Sequence, residues 1–415
     1  MKIGFYTFGC KVNQSESEFL IKKLSLLGAS VFNLNFEEPL FLDFVVINSC
    51  SVTEKASLKS LQKIKFFKKK YPFLKVIFTG CLSQIEEEKI KRWGADFVVK
   101  DKNEIGKKSF WDNLGAKIKE NSKINLPIFH TRYFLKVQDG CANFCTYCIV
   151  PYTRGFQEKS KPPSVAVEEI IKENPGEVVL CGINLGHYKS QENGKIYRLS
   201  DLLEKILDET KVRRIRISSV NPEDIDLKLV DLMKKNSRLA PHLHISIQSG
   251  SDKILEKMNR RYKRKDVVDL INFLKSEIPD LNITSDMIVG FPGESDDDFK
   301  KTLDLVLKLP FLKVHVFPFS PRPKTAAFLM DNQIPNKIKK ERVKILNEAQ
   351  KKRGEMIKKS YIFRNFDVLF EEKKGYYYSG LTGNYLRVYK KSSKNLTNLF
   401  EKALLKKIFK DGFIA

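Results

Sequence analysis

Six of the seven cysteines fall into two sets of three. One set is packed, Cys141-x-x-x-Cys145-x-x-Cys148, inside the run Asp139-Gly140-Cys141-Ala142-Asn143-Phe144-Cys145-Thr146-Tyr147-Cys148. The other is dispersed, with Cys10, Cys50 and Cys81 each following an apolar run of β-strand character. Three thiolates converging on a [4Fe–4S] cube occupy three irons and leave the fourth open for another ligand. A structural zinc ion takes four protein ligands, so two sets of three argue against closed zinc sites. The pattern suggests two [4Fe–4S] clusters, each with one reactive vacancy. Three buried core thiols are the alternative for the dispersed set. That explanation accounts poorly for all three lying just beyond strands.

Such thiols need elements to bring them together. Residues 3–8, 44–48 and 76–79 read as short buried strands, and 17–27 and 57–71 carry helical spacing. Each strand runs into a small residue and then a cysteine: Gly9-Cys10, Ser49-Cys50, Gly80-Cys81. This alternation predicts an open parallel α/β domain over residues 1–120. Loops at the carboxyl ends of its strands line one crevice, where three distant thiols can meet. A polar linker at about 119–125 follows. Six strand-like runs then recur at 133–138, 177–182, 214–220, 242–248, 282–289 and 313–319, each with a helical segment behind it. A right-handed βα series closes toward a barrel, and six units leave one side open. That partial (βα)6 barrel is expected over residues 130–355, with the packed triad directly after its first strand. A basic helix is expected over about 336–359. The tail, 360–415, alternates like short strands at 367–370, 376–378 and 385–388, with Gly380 and Gly383 marking turns. Tyr, Lys and Arg interleaved in this small β-rich module could stack on and neutralise RNA, or simply form its core.

The length, 415 residues, suits two or three domains. The net charge of +25 attracts polyanions such as RNA or DNA, although a Lys-rich solvated surface gives the same number. No run approaches the roughly 20 apolar residues of a membrane helix. The first ten residues read as a strand and a Gly-Cys turn instead of a signal peptide. With an odd number of cysteines, this points to a reducing cytoplasm. Cys181 lies inside an apolar strand and is expected to pack as a small core residue. His242 and His244 alternate on one strand, and structural roles are expected for all five histidines.

The C-x-x-x-C-x-x-C loop after a first barrel strand resembles the radical S-adenosylmethionine (SAM) superfamily. The resemblance implies that SAM chelates the open iron through its amino and carboxylate groups and is cleaved to a 5′-deoxyadenosyl radical. It also implies SAM contacts from Tyr147 beside the cluster, Gly182 and Asn184 after the second strand, and Gln248 and Ser249 after the fourth. Gly290 and Glu294, in Gly290-Phe291-Pro292-Gly293-Glu294, would form an adenine platform after the fifth. No Gly-Lys-Ser/Thr follows, so the glycines are not a P-loop.

A SAM core preceded by three dispersed cysteines and followed by a TRAM-like tail is similar to the methylthiotransferases over essentially the whole chain. Gly9-Cys10-Lys11-Val12-Asn13-Gln14 resembles the MtaB-like branch, which acts on N6-threonylcarbamoyladenosine at tRNA position 37. Pro241-His242-Leu243-His244-Ile245-Ser246-Ile247-Gln248 and Met258-Asn259-Arg260-Arg261-Tyr262 extend the match. The family implies metal ligation by Cys10, Cys50 and Cys81 for the sulfur to be transferred, and by Cys141, Cys145 and Cys148 for SAM. Its partners would be the tRNA anticodon stem-loop and a reductant protein, with no membrane and no DNA. Arg154, Arg260 and Arg261 are candidates to pair the threonylcarbamoyl carboxylate. Two departures stand out: Lys324-Thr325-Ala326 where the family usually has Gly-Thr-Pro, and Lys159 and Lys161 where arginines are usual. The rival readings are a methylthiotransferase for isopentenyladenosine tRNA or a ribosomal protein, and a non-catalytic RNA-binding protein holding structural metal.

Overall fold

The computed structural model describes residues 1–71, 73–116, 118 and 130–415. The expected linker at 119–125 lies outside the described residues. The amino-terminal unit is a five-stranded, all-parallel sheet in the order β2-β1-β3-β4-β5. Its strands are β1 (Lys2–Thr7), β2 (Ser30–Asn33), β3 (Phe44–Ser49), β4 (Lys75–Gly80) and β5 (Phe97–Val98). Phe44–Ser49 is buried at every position, as a central parallel strand covered on both faces must be. Helices α1 (Lys11–Leu26) and α2 (Glu54–Lys70) pack against the sheet through Leu20, Ile21 and Leu24, and through Leu61, Ile64 and Phe67. Both start earlier than their apolar spacing predicts. The first turn of α1 carries Lys11 and Asn13, whose polar character hides it from a hydrophobic pattern.

In the barrel, β6 (Tyr133–Lys136), the short antiparallel pair β7 (Gln138–Asp139) and β8 (Lys159–Ser160), β9 (Glu177–Cys181), the hairpin β10 (Lys189–Glu192) and β11 (Lys195–Arg198), and β12 (Arg214–Ile217) come first. They are followed by β13 (Ser219–Val220), β14 (His242–Gln248), β15 (Asn282–Val289) and β16 (Phe311–Pro318). The wall is two parallel sheets, β12-β9-β6 and β13-β14-β15-β16, meeting where Ser218 interrupts the third expected strand. Alternate residues Leu135, Val178, Leu180, Leu243, Ile245 and Ile283 face the outer helices in one large core. Their neighbours Phe134, Val179, Cys181, His242, His244 and Thr284 therefore face inward. Cys181 packs there on Val12, Phe134 and Val179.

The free edges β6 and β16 leave one side of the wall unclosed, and the amino-terminal unit covers it. It contacts β6 through α1 and the segment after β16 through Glu54 N, which donates to Ser320 Oγ (3.1 Å). Buried Arg322 donates to Ser57 Oγ (3.2 Å) and Glu86 Oε1 (3.3 Å) across the same seam. No described helix is long and apolar enough to cross a membrane.

The basic helix spans Asn336–Lys359, as expected. The tail is a six-stranded sheet, richer than its sequence pattern shows: β17 (Asn365–Lys374), β18 (Tyr377–Thr382), β19 (Arg387–Lys390), β20 (Phe400–Leu404), β21 (Lys407–Phe409) and β22 (Gly412–Ile414). Gly380 is not at a turn. It sits inside β18, where a Cβ would stand 2.4 Å from Leu369 O, so it is needed for close strand approach. The module seals the barrel floor. Arg214 donates to Leu381 O and Asp367 O, and Arg216 to Gly383 O and Thr382 O, while both pair with Glu177. Buried between those guanidinium groups, the Glu177 carboxyl is held below the usual carboxylate range despite its desolvation.

Candidate functional site

Strands β1, β3 and β4 are neighbours, so their carboxyl ends carry Cys10, Cys50 and Cys81 to one edge. A polar lattice fixes those ends. Asn13 Nδ2 donates to Phe8 O (2.8 Å) and Ser49 O (3.0 Å), Ser49 Oγ donates to Thr79 O (2.6 Å), and Leu82 N donates to Ser49 Oγ (3.1 Å). Gly9 turns at φ +93°, and a Cβ there would stand 2.9 Å from Cys50 Cβ. The three thiols act electrostatically on one another, and burial pushes the Cys50 thiol up to about 11.

The packed triad follows β7. Gly140, at φ +78°, lets the loop pass Gln157 O, which a Cβ would meet at 2.3 Å. Cys141 N donates to Gly155 O (3.1 Å), Thr146 N to Met258 O (3.1 Å), and Asn259 Nδ2 to Asn143 O (3.1 Å). Burial pushes the Cys148 thiol up to about 12, with Cys145 and Cys141 adding to the rise.

Two arginines, both candidates for pairing the substrate carboxylate, touch cysteine sulfur instead. Arg260 Nη1 donates to Cys145 Sγ (3.4 Å), while Nη2 donates to Asn221 Oδ1 (2.7 Å) and Ser246 O (3.0 Å). Arg154, at the end of the helix Val150–Arg154 behind the packed triad, reaches the other one. Its Nε donates to Cys81 Sγ (3.3 Å), Nη1 to Glu16 Oε1 (2.6 Å), and Nη2 to Asn13 Oδ1. Buried Glu16 also takes Lys136 (2.8 Å) and Lys102, so its carboxyl lies well below the ordinary range although desolvation opposes this. Neither Arg154 nor Arg260 is free for a substrate carboxylate. Their spacing after the cysteines carries no local pattern, since each partner arrives from another element.

The residues expected to hold SAM stand along the same strand ends. Tyr147 packs on Ile254, Met258, Phe291 and Phe319, and burial raises its phenol. At Gly182 a Cβ would meet Gln138 Cβ at 2.9 Å. Asn184 N donates to Gln138 Oε1 (2.8 Å), whereas its Nδ2 is buried without a hydrogen-bond partner. Gln248 turns at φ +72° on the inner face. Ser249 Oγ is engaged by Thr302 Oγ1 (3.3 Å) and Ser251 N (3.2 Å), which ties it to its own turn. Glu294 takes Gly290 N (2.6 Å) and Arg342 Nη1 (2.6 Å), bracing the turn from behind. Gly290 itself turns at φ +72° beside Lys339. Of the family departures, Lys324 sits at φ +75°, a conformation glycine adopts at lower cost, and Lys161 is held by Glu169 (2.5 Å).

This barrel, with three thiols on the loop after its first strand, defines a radical SAM enzyme. Residues 135–306 match the Radical SAM superfamily, and residues 2–99 match the uncharacterized protein family UPF0004. The fold is similar to a solved radical SAM methyltransferase from Kitasatospora setae, TsrM, at TM-score 0.58 and 12% identity over 79% of this chain and 76% of that one. The chain belongs to the radical SAM methylthiotransferase family. It is 36% identical to a threonylcarbamoyladenosine tRNA methylthiotransferase MtaB from Thermotoga maritima, over 99% of this chain and 95% of the relative. It is 34% identical to the Aquifex aeolicus MtaB over 96% and 99%. A tRNA-2-methylthio-N(6)-dimethylallyladenosine synthase from Thermodesulfovibrio yellowstonii is 36% identical over 81% and 80%.

Membership implies a [4Fe–4S] cluster and SAM. The donor type fits, because the six triad cysteines are free thiols and a guanidinium stands by Cys145, while among the described residues no three ligating side chains are already gathered at metal-binding distance.

Proposed function

We propose that this enzyme adds a methylthio group to C2 of N6-threonylcarbamoyladenosine at tRNA position 37. In systematic terms it is a tRNA (N6-L-threonylcarbamoyladenosine(37)-C(2))-methylthiotransferase, with working units at 1–120, 130–355 and 360–415. Cys141, Cys145 and Cys148 would hold one [4Fe–4S] cluster, and Cys10, Cys50 and Cys81 a second. The second would carry the sulfur, which one SAM molecule methylates, and the first with another SAM would supply the radical that takes the C2 hydrogen away as 5′-deoxyadenosine. A C2 aryl hydrogen is not acidic, so a general base could not do this.

The observation that carries the reading is Arg154. From the end of the helix behind the packed triad it donates to Cys81 Sγ, which supports two sulfur sites working on one interior. The chain's own residues orient the reaction. Arg260 ties the packed triad to Ser246 O on β14, and Gln138 bridges the loop carbonyl of Gly140 (2.9 Å) to Asn184 N. Asn184 Nδ2 offers a free buried donor to the methionine end of SAM. The tail seals the floor, so water and substrate reach the interior from the mouth, and the base must leave the anticodon stack to reach it. A reductant protein supplies the electron.

Mass spectrometry of tRNA nucleosides tests this. Deleting the gene is expected to remove 2-methylthio-N6-threonylcarbamoyladenosine and leave its unthiolated precursor. Loss of the isopentenyl counterpart instead would transfer the enzyme to the other tRNA branch.

A further inference from the structure

Lower on the inner wall, several donors are left without acceptors. Lys11 is half-buried, and among the described residues it makes no hydrogen bond or ion pair. Arg132 pairs with Glu371 (2.5 Å), yet its Nη1 is buried with no hydrogen-bond partner. His242 Nδ1 is also buried with none. These groups converge. Tyr385, from the tail, stacks on His242 with ring centroids 4.2 Å apart and planes at 12°. Arg216 also lies over the ring of that tyrosine, 5.0 Å from its centroid. Lys11 lies within the fields of Tyr385, Arg132 and Arg216, and His242 within those of Lys11, Arg132 and Arg216.

Buried polar groups are nearly always satisfied, so the orphaned Arg132 Nη1 and His242 Nδ1 beside Lys11 mark a missing partner. The neighbouring carboxylates do not fill the role, since Glu177 serves Arg214 and Arg216, and Glu371 serves Arg132. Among the described residues Lys11 has no carboxylate partner of its own. What the pocket lacks is an anion with several acceptor oxygens.

We propose that Lys11, with Arg132 and His242, binds the carboxylate of the substrate's N6 substituent and is the residue that selects an anionic modification. This rests on the functional reading above. Its physical basis is chain geometry. Val12 plugs into the wall at Phe134, Val179 and Cys181, and Cys10 stands two residues before it, capping α1. The backbone that delivers the sulfur site thus delivers the ammonium. Ser246, which holds Arg260 beside Cys145, and His242 lie on one face of β14, about 13 Å apart along the strand. A base whose C2 faces the cysteines can extend its urea and threonine into that gap. An isopentenyl group has no acceptor and would leave the ammonium unpaired.

The test uses reconstituted full-length enzyme and three forms of one tRNA: threonylcarbamoylated, the same with its carboxylate amidated, and unmodified. Wild type is expected to bind the carboxylate form roughly 10-fold or more tighter than the amide. Lys11→Met should bind both alike, with KM raised far more than kcat falls, while Lys11→Arg keeps part of the preference. Iron content and the paramagnetic spectrum of Lys11→Met should match wild type, which separates substrate binding from damage beside Cys10. Arg132→Met, which lies next to no cysteine in the sequence, decides the matter if Lys11→Met loses iron: it too must weaken the preference. A wild type that methylthiolates threonylcarbamoyl-tRNA while Lys11→Met and Arg132→Met retain full preference overturns the pocket alone. A wild type inactive on that tRNA overturns the functional reading beneath it.

Discussion

Cys141, Cys145 and Cys148 share one loop, shaped by its own glycine and by hydrogen bonds to Gly155, Met258 and Asn259. Cys10, Cys50 and Cys81 stand on three strands, and only the order β1-β3-β4 makes them neighbours. The first arrangement is written almost locally. The second exists only when the sheet is paired in register, because a one-residue slip turns each strand's side chains to the opposite face. A site built from the dispersed triad would therefore be coupled to the whole amino-terminal fold, and one built on the loop to its loop. The two are also joined in one visible direction, since Arg154 behind the packed triad reaches Cys81.

The largest expected effect comes from removing each triad in turn. Replacing Cys141, Cys145 and Cys148 with alanine should abolish SAM cleavage to 5′-deoxyadenosine, and with it all product. Replacing Cys10, Cys50 and Cys81 should abolish the methylthio product but leave SAM cleavage running uncoupled. Each triple variant should hold about four irons per chain instead of about eight, one cube being lost. Methylthio product from the second variant would remove the dispersed triad from the chemistry.

How much could be read beforehand follows the same divide. The packed spacing, β14 and β15, and the helix Asn336–Lys359 were legible, because local periodicity and a short motif specify them. The meeting of Cys10, Cys50 and Cys81 was legible only through the rule that parallel strands present their ends together. The partners of Arg154 and Arg260 were not legible. A guanidinium in a loop looks like a surface group or a substrate contact, and nothing local says that Cys81 or Cys145 will arrive beside it. Of the two roles open to the tail's tyrosines, Tyr378 takes the core one, while Tyr385 stacks on His242 at the barrel floor, a placement no local pattern shows.

A smaller effect should come from Gly9→Ala, which stresses one triad only. At φ +93° a methyl group is strained, and it would sit 2.9 Å from Cys50 Cβ. Strain of this type costs about 1–3 kcal/mol. Thermal unfolding should move down accordingly, and reconstitution should leave the dispersed site partly empty. SAM cleavage should continue near the wild-type rate. Full iron content at an unchanged melting temperature would mean that Gly9 is not what lets Cys10 and Cys50 approach.

The finest comparison is between the two arginines. Arg154→Met removes a donor from Cys81 and one of three cations from buried Glu16, leaving Lys102 and Lys136 in place. With two cations remaining, the carboxylate is not orphaned. The expected loss is about 1–3 kcal/mol, the scale of a hydrogen bond to a charged group, instead of the larger cost of an unpaired buried charge. Because Glu16 stays ionised in the fold, its contribution persists above the ordinary carboxylate pKa and fades as pH falls through its depressed value. The deficit of Arg154→Met should therefore shrink at strongly acid pH. A cation beside a cluster stabilises its reduced, more negative state, so the same variant should lower the reduction potential of the amino-terminal cluster. Arg260→Met should instead lower that of the barrel cluster, through Cys145. Potentiometric titration followed by electron paramagnetic resonance distinguishes the two signals. Equal shifts of both clusters in each variant would show that the arginines act through the shared interior and not through the sulfur each one touches.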